Sequence, residues 1–149
     1  MTEPDDLHAR LEAVAALLSQ LEADGAEASF GAWVASRESK PGVWTMPYVE
    51  YGPLERAFRG ATAGWVRPNI DRTTWGDTED ALELKRDPAR LARATAGDLA
   101  HLLTTLVRGD RFNEGLLLDA FQSGLLARIC RRADALASEL TAELTAEQT

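Results

Sequence analysis

Cysteine is nearly absent from this chain of 149 residues: Cys130 stands alone. A single cysteine excludes an internal disulfide and a multi-cysteine metal cage, and its apolar helical surroundings predict a buried small hydrophobe. Histidine is almost as scarce. Neither His8 nor His101 stands in metal-ligand spacing, and no His-Glu-x-x-His, Cys-x-x-Cys, Walker-type glycine loop or G-x-S-x-G elbow occurs. No metal and no organic cofactor is therefore expected. No run approaches the roughly 18 consecutive apolar residues of a membrane span. The start, Met1 to Asp6, is acidic where a secretory signal is basic. A cytoplasmic protein without membrane contact is the expectation. Lysine occurs only as Lys40 and Lys85; arginine supplies the remaining bases, a bias that with abundant alanine is associated with GC-rich bacterial genomes.

Positive charge is also in deficit, and unevenly. The formal net charge is −8. Residues 1–30 hold seven acids against Arg10, and residues 134–149 hold four acids and no base; between them, thirteen acids face fifteen bases. Acidic ends oppose nonspecific encounter with nucleic acid or an anionic membrane, so no nucleic-acid partner is expected, although a local arginine face in the middle remains able to bind an anion. An apolar fraction of 45% with 27% charged residues is that of a folded globule. This length makes one domain with a substantial core.

What is abundant is leucine at helical spacing. Leu7, Leu11, Val14, Leu18 and Leu21 recur at alternating intervals of four and three, and Asp24-Gly25 stops them, which predicts a first helix of about five turns. Leu126, Ile129, Ala133, Leu136 and Leu140 repeat the pattern after Gly124, ahead of a tail, Thr141–Thr149, expected to fray. The two stripes either line a common core or offer a homodimer seam. Thr95 with Asp98 makes a capping-box-like start for a central helix through Leu99, Leu102, Leu103, Leu106 and Val107, on which the end helices are expected to pack. The fold class is mainly α: a compact multi-helix domain of five to seven helices, with one or two short strands in the middle.

The middle is more irregular. Ser29 is read as the cap of a short helix presenting Phe30, Trp33 and Val34, ended by Lys40-Pro41-Gly42. Val43–Tyr51 is β-branched and aromatic around Pro47, which predicts an extended segment. Pro53 opens a helix with Leu54, Ala57, Phe58 and Ala61 inward. Residues 62–76 read as a loop pinned by Trp65 and Trp75, with a short strand at Trp65–Arg67. A brief helix from Thr78 to Arg86 and a turn at Asp87-Pro88 follow. Asp71, Asp77, Glu79 and Asp80 form an acidic patch without the EF-hand pattern, read as a solvated loop. Trp44, Tyr48 and Tyr51 form a candidate aromatic surface, to be weighed against plain core packing.

Charge, glycine and burial meet at Arg108-Gly-Asp-Arg-Phe-Asn-Glu-Gly115. Gly109 ends the central helix and Asp110 is placed to cap the next, with Gly115 inside it; a single bent helix is the alternative. The candidate cluster is Arg108, Asp110, Arg111 and Glu114. It reads either as a helix junction locked by ion pairs or as a pocket where Arg108 and Arg111 clamp an anion beside an acid or base, Asp110 or Glu114. Arg128, Arg131 and Arg132 are able to contact phosphates, but they also suit an exposed helix face with Asp134 nearby.

Met46-Pro-Tyr-Val-Glu-Tyr51, Val107–Leu116, Gly124-Leu125 and Ile129-Cys-Arg-Arg132 together resemble a bacterial family of small uncharacterised proteins, family 6508 of the domains of unknown function. The resemblance covers roughly residues 28–136. Asn113 stands where many relatives have Cys or Ser, so a thiol there is not a general requirement. The resemblance implies a shared fold and no particular activity. Two function classes follow from the residues. One is a non-catalytic helical interaction module that binds a protein partner or itself; the other is an enzyme or small-ligand-binding protein built on the charged cluster.

Overall fold

The computed structural model describes residues 4–66 and 78–147. Its architecture is mainly helical, with six helices of seven residues or more among the described residues. The first stripe forms α1 (Pro4–Ala15) and a one-turn α2 (Leu18–Leu21) instead of one unbroken helix. The interruption is a tightened turn: the Leu17 amide bonds to the Val14 carbonyl (3.1 Å), one residue short of the α pattern. That turn buries Leu17 and leaves Leu18 half-buried, so Leu11, Val14, Leu17 and Leu21 line the core.

The expected helix through Trp33 and Val34 is overturned. Helix α3 (Ala26–Phe30) stops at Gly31, whose φ of 154° is one L side chains rarely adopt. A Cβ at Gly31 would also lie 2.8 Å from the Glu50 carbonyl oxygen, so glycine is required where the strands close together. Strand β1 (Gly31–Val34) then pairs antiparallel with β4 (Tyr48–Tyr51), in the register Gly31↔Tyr51 and Trp33↔Val49. Between them, β2 (Glu38–Lys40) and β3 (Val43–Trp44) pair around Pro41-Gly42, which turns the hairpin instead of ending a helix.

Helix α4 (Pro53–Thr62) carries Pro53 at its start and buries Leu54 and Phe58 as expected, but Ala57 is exposed. Trp65 lies in a 3-10 turn (Ala63–Trp65), not a strand, and its indole N–H donates to the Arg10 carbonyl (3.3 Å). The rest of the expected loop, residues 67–76 with Asp71 and Trp75, and the neighbouring Asp77 lie outside the described residues. Thr78 caps α5 (Glu79–Arg86) and Asp87 caps α6 (Pro88–Leu91) through side-chain oxygens. Helix α7 (Ala96–Gly109) opens with the full Thr95–Asp98 capping box. A tight turn leads to α8 (Leu116–Gln122), and α9 (Leu125–Glu147) closes the chain.

Helix α7 is the buried centre: Leu99, Leu102, Leu103 and Leu106 are all inaccessible. The end helices pack chiefly on one another, antiparallel, and less on α7 than their stripes suggested. His8 Nε2 meets Thr141 Oγ1 at 2.8 Å near one end of that seam, and Glu22 pairs with Arg131 toward the other. Cys130 sits in the core beside Leu126 and Ile129, and burial pushes its thiol up to about 12.

Candidate functional site

The charged segment is the junction between α7 and α8. Gly109 ends α7, and successive turns return the chain at Gly115, which has φ 94° and occupies the N-cap position of α8. Glycine serves two needs there. The left-handed backbone disfavours a side chain, and a Cβ would stand 2.6 Å from the Trp33 ring of β1. Correcting the expectation, Gly115 thus lies before the second helix and not inside it.

A glycine N-cap has no side chain to satisfy the first amides of α8. Two residues from elsewhere do so. Asp110 Oδ1 accepts the Leu117 amide (3.0 Å), and the Tyr51 hydroxyl oxygen accepts the Leu118 amide (3.3 Å). The same hydroxyl donates to Asp110 Oδ1 (2.8 Å). Asp110 Oδ2 accepts from Arg59 Nη2 (3.1 Å), and Arg59 Nε donates to Glu55 Oε2 (2.6 Å). A continuous network therefore runs from α8 through Asp110 and Tyr51 to α4. Asp110 and Glu55 are both buried, and Arg59, about a third exposed, is the cation between them. The arrangement leaves one net negative charge, which the amides at the start of α8 help to stabilise.

Aromatic packing holds the network from beneath. The Tyr51 ring meets Phe30 edge-on at 6.0 Å, and Phe30 stacks on Phe121 at 4.4 Å. Burial, reinforced by the hydrogen bond to Asp110, raises the Tyr51 phenol well above its ordinary value. Glu114 makes a separate attachment: its Oε2 accepts the Val49 amide of β4 (2.8 Å).

The four charged candidates thus do not converge. Asp110 turns inward to Tyr51 and Arg59, while Glu114 reaches β4. Arg108, half-buried, and Arg111, exposed, line a different depression of about 340 Å³ with Val66 and the exposed Phe112. The aromatic candidates also separate. Trp44 and Tyr48 are exposed at 63% and 40%, together with Met46 and Val43, whereas Tyr51 belongs to the interior network. Glu55 and Arg59 were not singled out from sequence. Their signal was an acid and a base four residues apart, beside the inward positions Leu54 and Phe58 of α4.

Both histidines are engaged. His8 contacts Thr141 and Glu12, and His101 Nδ1 lies 3.0 Å from the Gly97 carbonyl oxygen. Among the described residues, no three His, Cys, Asp or Glu side chains are grouped to hold a metal ion. No helix among them is long and apolar enough to cross a membrane.

Comparison with known proteins found no match among curated proteins or solved structures. The model of a family of unknown function, DUF6508, matches residues 7–139, and so takes in the end helices as well as the junction and the hairpin. The chain belongs to this family of unknown function.

Proposed function

We propose that the chain is a non-catalytic helical interaction module that pairs with a second copy of itself through the hairpin of residues 31–51. The observation carrying this reading is the exposure of Val43, Trp44, Met46 and Tyr48 on that one hairpin. Large exposed apolar side chains grouped together are characteristic of protein interfaces, and Trp and Tyr are frequent hot spots. Charge favours self-pairing. The hairpin carries Arg37 and Lys40 against Glu38 and Glu50, so it is neutral in a chain of net charge −8. Two copies meeting there avoid the repulsion their acidic ends would impose. The junction supports rigidity, because Glu114 holds β4 and Gly115 lets Trp33 pack close. A two-fold pairing needs only one self-complementary patch. The lone buried cysteine suits a reducing, cytoplasmic compartment, and the arginine and alanine bias supports a bacterial source.

Sedimentation at micromolar concentration tests this. A dimer is expected for the natural chain and a monomer for Trp44→Ser combined with Met46→Ser. A natural chain that sediments only as the 16.2 kDa monomer defeats the self-pairing.

The depression beside Arg108 and Arg111 favours a second reading, a small-anion binding protein. Asp110 and Glu114 are held in other hydrogen bonds, so an acid or base beside that anion is not assembled. Titration with inorganic phosphate tests it: saturable binding abolished by Arg111→Ala would favour it.

A further inference from the structure

Arg128, Arg131, Arg132 and Ala135 stand at i, i+3, i+4 and i+7 on α9, which places them on one helix face. Opposite them lies α6, a single turn anchored by the buried Leu91 and followed by the exposed Ala92. The groove between has a volume of about 290 Å³, with the three arginines on one side and Leu91, Ala92 and Ala135 giving it an apolar floor. Among the described residues no carboxylate lines it, in a chain with an excess of acids.

The guanidinium groups are only partly engaged. Arg131 pairs with Glu22 at the surface. Arg132 Nε donates to the Ala94 carbonyl (2.8 Å), and its Nη1 lies 3.6 Å from Glu139. Arg128 Nη1 donates to the Ser123 carbonyl (3.3 Å), but its Nε is shielded from solvent and has no acceptor among the described residues. A shielded donor without an acceptor is costly, so the Arg128 guanidinium is incompletely satisfied where it stands. On the far side of Arg128 and Arg131 lies a second groove of about 400 Å³, but Glu22 and Glu27 line it and would repel an anion.

We propose that the groove between α6 and α9 binds a small organic anion with an apolar body, its charged group held by Arg128, Arg131 and Arg132. The planar guanidinium fork matches a carboxylate or phosphate, and the floor takes a short alkyl or ring moiety. The volume of about 290 Å³ lies just below the roughly 300–1,000 Å³ of ligand pockets, which selects a compact ligand. This site is independent of the hairpin and of the depression beside Arg108.

Calorimetric titration of the full chain with octanoate, and with octanol as its neutral counterpart, tests the proposal. Octanoate is expected to bind saturably, one per chain, and octanol at least tenfold more weakly. Arg128→Gln with Arg131→Gln is expected to lower octanoate affinity at least tenfold. Ala135→Glu, at an exposed position where glutamate suits the helix, is expected to abolish binding with an unchanged melting temperature. Arg111→Ala is expected to leave affinity unaltered. The proposal is overturned if octanoate gives no saturable binding, if octanol binds equally well, or if Arg111→Ala removes binding while Ala135→Glu does not.

Discussion

Tyr51 shows how one side chain can serve two elements. Its hydroxyl donates to Asp110 and accepts from the Leu118 amide, so Tyr51→Phe leaves a buried carboxylate and an amide each short of a partner. A loss of about 1–3 kcal/mol is expected in urea denaturation at neutral pH. The pH dependence has a definite sign. Because folding raises the Tyr51 pKa, its contribution is fully present below the unfolded value of 10.0 and is lost as pH rises through the folded value. The phenylalanine variant should therefore lose stability less steeply at alkaline pH. Gly115→Ala meets both a φ of 94° and the Trp33 ring, so its cost should exceed about 1 kcal/mol by the same measurement. A neutral outcome would mean that the turn relaxes without displacing Trp33.

Elements whose cause is local were legible in the sequence. Thr95 and Asp98 announce α7 because their side chains bond amides only three residues away, and Pro53 marks α4 because its ring suits the first helical position. The misread elements depend on distant partners. Gly31 ends α3 where its backbone closes on Glu50, and that approach exists only after β1 and β4 pair. Likewise, Glu55 and Arg59 acquire their setting from Asp110, 51 residues beyond Arg59. The charged junction was visible as a motif, but the separate directions taken by Asp110, Glu114 and Arg111 were not, because spacing alone does not orient side chains. The capping box yields its own prediction. Burial raises the Asp98 pKa, but the Thr95 amide and Arg90 outweigh it and hold the carboxyl below its ordinary value. Its stabilisation is present above the unfolded carboxylate pKa and is lost as pH falls through the folded value. Asp98→Ala should cost about 1 kcal/mol at neutral pH and less in acid, seen as converging melting temperatures.

At the scale of the whole molecule, the buried centre and the exposed hairpin occupy different parts of the chain. The core runs through α1, α7 and α9, while the exposed Trp33, Trp44 and Tyr48 lie on a hairpin attached through Tyr51 and Glu114. Cys130 reports on the core: with its thiol pushed up to about 12 and buried, alkylation at pH 8 should follow global unfolding and not precede it. Rapid labelling of the native protein would show that α9 opens locally. The central claim is that the Arg108–Gly115 segment works as a clip, with Asp110 as its buried pin and Arg111 outside it. Parallel urea denaturation of Asp110→Ala and Arg111→Ala tests this most directly. Asp110→Ala deprives Arg59, the Tyr51 hydroxyl and the Leu117 amide of their acceptor, and is expected to lose about 2–3 kcal/mol, moderated by the exposure of Arg59 and its remaining bond to Glu55. Arg111→Ala, at an exposed position, is expected to stay within about 0.5 kcal/mol of the natural chain. An Asp110→Ala variant as stable as the natural chain, or an Arg111→Ala variant that is the more damaged of the two, would contradict the claim.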